Sequence, residues 1–104
     1  MPWLPFEGNR YLAVVDAEIV FPGWPAAVLR VAEDVDMRLG KDPRAEYIYH
    51  FIVAGQQVFG YHRQPGHQWL DHRHDYLAGS MRGVTVTLKD VLSEIDCARR
   101  NRAV

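Results

Sequence analysis

The feature that most restricts what this chain can fold into is a pair of β-branched and aromatic runs around a glycine turn. Tyr47-Ile48-Tyr49-His50-Phe51-Ile52-Val53 and Val58-Phe59-Gly60-Tyr61-His62 flank Ala54-Gly55-Gln56-Gln57. Such side chains suit a pleated, half-buried surface, and the glycine supplies the backbone freedom of a tight turn, so the segment reads as a β-hairpin. A loop of two or four residues gives the same parity. It places His62 with Tyr47, Tyr49 and Phe51, and His50 on the other face near Tyr61.

The flanking sequence extends this sheet. Residues 1–9 hold two prolines and a glycine and read as an irregular arm, with Trp3 and Phe6 tucked against the body. From Tyr11 to Phe21 the residues suit a strand, which Pro22-Gly23-Trp24-Pro25 ends. Residues 26–39 fit two templates. A helix would start well at Pro25, end at Gly40 and carry Val28, Val31, Ala32, Val35 and Leu39 on one stripe. A strand would alternate Leu29, Val31, Val35, Met37 and Leu39 against Arg30, Ala32, Asp34, Asp36 and Arg38, with only Glu33 out of place. The helix leaves Leu29 and Met37 off its stripe, so a strand is expected.

Asp71 to Tyr76, if extended, sends His72, His74 and Tyr76 one way and Asp71, Arg73 and Asp75 the other. Val84-Thr85-Val86 reads as a short strand. Thr87, with Asp90 three residues on, resembles a capping box at the head of a helix from Leu88 to about Asn101. Leu88, Val91, Leu92, Ile95 and Ala98 would form its apolar face, and Arg99, Arg100 and Arg102 suit its C-terminal dipole. The expected architecture is α+β in a single domain spanning 1–104. It has an antiparallel sheet of four to five strands and the C-terminal helix packed on one face.

Charge and composition exclude several classes. With 104 residues, 48% hydrophobic and 24% charged, the chain can build one ordinary globular core. A net charge of −1 recruits neither nucleic acid nor membrane globally. The halves differ, however. Residues 1–46 hold eight acids against five bases, while 47–104 hold five acids against seven bases and all five histidines. Cys97 alone cannot form an internal disulfide and fits a reducing compartment. The start lacks a signal-peptide pattern, and no window nears the ~18 apolar residues of a membrane span. A cytoplasmic protein is expected.

Function concentrates in residues 61–76, which contain four of the five histidines, two arginines and two aspartates. Imidazoles titrate near neutrality, so they exchange protons or, as neutral rings, bind metals. Asp71-His72-Arg73-His74-Asp75 supports three readings. The first is acid–base cleavage of RNA, which needs a base for the 2′-hydroxyl, an acid for the leaving oxygen and a cation for the phosphate. In that reading His72 and His74 share the acid and base roles, with His62 or His67 assisting and Asp71 in the same catalytic set. Arg73 and Arg63 meet the phosphate, and Tyr61 and His67 contact substrate. The second is a metal pair, His72 and His74, completed by His62 or His67. The third is a polar edge strand whose imidazoles bond locally, with Arg63 and Arg73 paired to Asp71 or Asp75. Tyr61 also fits an edge aromatic, and His50 reads as a satisfied core histidine.

The hairpin ending in Gly60-Tyr61-His62-Arg63-Gln64-Pro65-Gly66, the cluster His72-Arg73-His74, and a terminal helix headed by Val86-Thr87-Leu88-Lys89-Asp90-Val91-Leu92 resemble the TumE-type toxins of toxin–antitoxin pairs. The likeness spans about residues 45–96. It departs where the family places an Asp-Asn pair after the tyrosine and this chain has His62-Arg63. The resemblance implies a compact α+β domain, a helix-turn-helix antitoxin partner and action on RNA. Together with the residues it leads to a metal-independent ribonuclease toxin that needs no cofactor, does not engage a membrane and is compatible with a homodimer. The alternative is a non-enzymatic binding module or metal-binding protein built on the same histidines.

Overall fold

The structure, a computed structural model, describes residues 3–6, 9–24, 26–66 and 70–102, and the side chains of 11–24, 26–66 and 70–101. Among the described residues seven strands are followed by one α-helix: β1 (Trp3–Phe6), β2 (Asn9–Val20), β3 (Ala27–Asp36), β4 (Arg44–Val53), β5 (Gln56–Arg63), β6 (Asp71–Asp75), β7 (Ser80–Gly83) and α1 (Leu88–Arg102). They form one antiparallel meander in which each strand pairs with its sequence neighbours. The α+β expectation holds, but the sheet has seven strands rather than four to five. Two of the additions lie at its ends. The segment expected as an irregular arm contributes β1, and β7 forms at Ser80–Gly83, just before the predicted Val84–Val86 strand.

Residues 27–36 are extended, as their alternation requires, and the strand closes in a single 3₁₀ turn at Met37–Leu39. Glu33, out of place in the simple alternation, sits on the helix side and accepts a hydrogen bond from the Tyr49 hydroxyl. Ala54 and Gly55 turn the central hairpin with φ of 51° and 77°. That pair of positive angles belongs to the two-residue turn whose twist matches the strands.

The core lies between α1 and one sheet face. Leu29, Val31, Tyr49, Phe51, Phe59 and Tyr61 pack with Val91 and Ile95, which are 0% and 1% exposed. Burying those two helix side chains contributes roughly 1.5–3 kcal/mol each. The predicted cap forms as a reciprocal pair: Thr87 N donates to Asp90 Oδ2 at 2.8 Å, and Asp90 N to Thr87 Oγ1 at 3.2 Å. Arg44 ties the helix approach to the sheet through Nη1 and the Val86 carbonyl, 2.7 Å apart.

The radius of gyration is 14.9 Å, above the ~13 Å of a compact chain this long. A wide single sheet under one short helix accounts for the excess. Among the described residues no helix is long and apolar enough to cross a membrane.

Candidate functional site

Register decides which side chains can meet. In β4, β5 and β6 one cross-strand row reads Ile48, His62, His72 and the next reads His50, Gly60, His74. Residues opposite one another share a face, so His50, His62, His72 and His74 all stand on the sheet face away from α1. Gly60 occupies the middle of the second row with no side chain. That gap is filled: a Cβ there would lie 2.7 Å from His50 Cδ2 and 3.2 Å from His62 Nε2.

The four rings form a contiguous patch. Ring centroids are 4.7 Å apart for His50 and His62, 5.1 Å for His62 and His72, 5.0 Å for His62 and His74, and 4.9 Å for His72 and His74. Tyr76 closes one end, stacked on His74 at 5.5 Å and edge-on to His50 at 6.1 Å. His50 Nε2 and His62 Nε2 are hydrogen-bonded. One of these nitrogens must carry the proton while the other presents a lone pair, so the two rings hold complementary protonation. His72 is 0% exposed and His62 8%, while His50 and His74 are only partly buried. Burial, then the charges of Arg30 and His74, hold the His50 imidazolium below its usual pKa, which leaves a neutral ring able to accept a proton.

His50, expected as a satisfied core histidine, is only partly buried on this face and stands beside Arg30, for which no role was expected. They are cross-strand partners. With Asp16, Val31, Ala32 and Ile48 they line a cleft of about 340 Å³ beside the imidazoles. Arg30 is exposed and makes no ion pair among the described residues.

The expected arginines stand on the opposite face. Arg63 Nε donates to Asp71 Oδ1 at 2.5 Å, and its other nitrogens reach Asp42 at 3.0 Å and the Arg44 carbonyl at 2.8 Å. Thr85 Oγ1 donates to the same Asp71 at 2.6 Å. The Arg63 hydrogen bond holds the Asp71 carboxyl below its usual range, so it stays ionised as a structural partner.

Arg73 Nη1 donates to Glu94 Oε2 at 2.8 Å and to Tyr61 Oη at 2.6 Å, and Tyr61 in turn donates to Glu94 at 2.5 Å. Burial and then the neighbouring Glu94 raise the Tyr61 pKa, so its hydroxyl remains protonated. The strand period of two separates Asp71, Arg73 and Tyr61 from the imidazoles, as it separates any adjacent pair on a strand. Arg73 and Tyr61 therefore tie the sheet to Glu94 of α1, while Arg63 and Asp71 pair with each other and with Asp42, the Arg44 carbonyl and Thr85, all on the face opposite the histidine patch. His67 lies outside the described residues.

His62 reaches the patch because of a register shift between Phe51 and Ile52. Ile52 pairs with Gln57 but Phe51 pairs with Phe59, leaving Val58 as an extra residue in β5. A bulge of this kind reverses parity beyond it. His62 therefore faces away from Tyr47, Tyr49 and Phe51, contrary to the uninterrupted hairpin, and joins His50. The alternation of His72 and His74 against Arg73 within β6 is as the sequence indicated.

No curated protein and no solved structure matches the chain. A family model described as Toxin TumE matches residues 12–99, a wider span than the 45–96 over which the motifs are legible. With that match covering most of its length, the chain belongs to the TumE toxin family, the toxin side of a toxin–antitoxin pair, which implies an antitoxin partner.

Proposed function

We propose that this toxin cleaves RNA by metal-independent acid–base chemistry on the imidazole face of its sheet, paired with an antitoxin of the helix-turn-helix type that the family resemblance implies. The observation that carries this reading is the contact of His50, His62, His72 and His74 on one face beside Arg30, a cation with no ion pair among the described residues. A neutral imidazole removes the 2′-hydroxyl proton, and the oxygen attacks the adjacent phosphorus. A protonated imidazole gives its proton to the departing 5′ oxygen, which leaves a 2′,3′-cyclic phosphate and a 5′-hydroxyl.

Accessibility divides the roles. His74 and His50, partly exposed, are the proton carriers that reach substrate. His62 is hydrogen-bonded to His50, and His72 is packed against both His62 and His74, so both orient those rings. Arg30, at the neighbouring cleft, meets the phosphate with the planar fork that suits its oxygens.

The test is cleavage of labelled single-stranded RNA in the presence of EDTA. His74→Ala and His50→Ala should each lower the rate by roughly 10²-fold or more, as for loss of a general acid or base. Wild-type rates in both variants would remove the assignment. The alternative of a non-enzymatic binding surface fits the burial of His62 and His72 poorly, since a docking patch presents its side chains to the partner. Growth arrest without any RNA cleavage would favour it.

A further inference from the structure

We infer that His62, His72 and His74 form a site for one divalent ion of the zinc class, and that filling it silences the proposed cleavage. The binding stands on geometry alone; the silencing rests on the acid–base reading above.

Three observations support the site. The ligand nitrogens of His62, His72 and His74 lie within 4.8 Å of one another. A tetrahedral zinc with Zn–N near 2.0–2.1 Å brings its nitrogens to roughly 3.3 Å apart, so modest side-chain rotation closes the set. The scaffold is also rigid. His72 and His74 are two apart on β6 and His62 pairs directly with His72 across the ladder, so all three Cα positions are fixed by the same sheet.

The donor set, finally, selects the metal. Among the described residues only imidazoles converge here, because strand parity sends Asp71 and Asp75 to the far face. Borderline nitrogen donors suit zinc, cobalt, nickel and copper, whereas magnesium and calcium require oxygen. His50 adjoins His62 and offers a fourth ring, which reaches over Gly60 because that residue carries no side chain of its own.

Coordination uses the nitrogen lone pair that a general base also needs. A bound ion would therefore compete with proton transfer at His74.

Untagged full-length protein, stripped with EDTA and dialysed, is titrated with zinc chloride near neutral pH by calorimetry. Cobalt absorption serves as a second readout of nitrogen coordination. Expected are one ion per chain, a higher melting temperature, no response to magnesium, and loss of binding on acidification as protons take the imidazoles. His74→Gln, at the accessible edge, should weaken zinc by roughly 10-fold or more with the circular dichroism spectrum unchanged.

No saturable binding by the wild type, or undiminished affinity in a folded His74→Gln, overturns the site. Because cobalt reports on the wild type directly, misfolding of the buried His62 or His72 variants does not shelter the proposal. Stoichiometric zinc should also abolish RNA cleavage. Binding with cleavage intact overturns the silencing. An absence of cleavage with or without zinc overturns the ribonuclease reading and leaves the metal site standing.

Discussion

Gly60→Ala is the sharpest probe of the histidine face, because it adds one methyl group at the centre of the patch. The new Cβ would lie 2.7 Å from His50 Cδ2, 3.0 Å from His50 Nε2 and 3.2 Å from His62 Nε2. Carbon atoms in contact normally sit about 3.5–4.0 Å apart, so the His50 ring must move by roughly 1 Å. It has little room. The His62 ring centroid is 4.7 Å away and Tyr76 closes another side at 6.1 Å.

Gly60 is not among the glycines with positive φ, so alanine adds no backbone strain and the effect is steric. Overpacking of this kind costs about 1–3 kcal/mol. The stiffer unfolded chain offsets about 0.4–1 kcal/mol. The net loss is then about 0–2.6 kcal/mol, centred near 1.3, which at about 4–8 °C per kcal/mol for a domain of this size lowers the melting temperature by about 5–10 °C at the centre of that range. Thermal unfolding followed by circular dichroism measures it, with RNA cleavage below the transition as the companion assay, where the displaced His50 should slow the reaction. An unchanged or raised melting temperature would falsify the packing of His50 over Gly60, and with it the close approach of the two rings.

Three further outcomes follow from particular contacts. The His50 pKa is lowered from 6.5 in the fold, so its contribution is complete above that value and is lost as pH falls below it, where the unfolded chain takes up the proton first; the pH slope of stability just below 6.5 should be shallower in His50→Gln. Glu94→Gln weakens the acceptor shared by Tyr61 and Arg73 and should cost about 1–3 kcal/mol in denaturant unfolding. Its cleavage activity at permissive temperature should survive, since the network lies on the helix face; loss of activity without loss of stability would place Arg73 in the chemistry after all. Thr87→Ala removes half of the reciprocal cap on α1 and should cost about 0.5–2 kcal/mol, read as a lower melting temperature.

Local rules carried the sequence a long way. The composition of residues 47–62 dictated the central hairpin, the alternation in 71–76 fixed which of its side chains share a face, and Thr87 with Asp90 marked the first turn of α1. Each depends on neighbours a few residues apart, where backbone geometry and side-chain type are enough.

Membership of the site depended on contacts between strands. One extra residue at Val58 turns His62 from the apolar face to the open one, and it does so because strand parity propagates unchanged from a bulge to the end of the strand. Nothing about a valine between glutamine and phenylalanine announces that insertion. Pairing along the meander also brought in His50 from β4 and Arg30 from β3, outside the histidine-rich stretch, and sent Arg63 and Arg73 to carboxylates on the other side. A chain can specify each strand by its own pattern, but which faces coincide is settled only when the ladder forms.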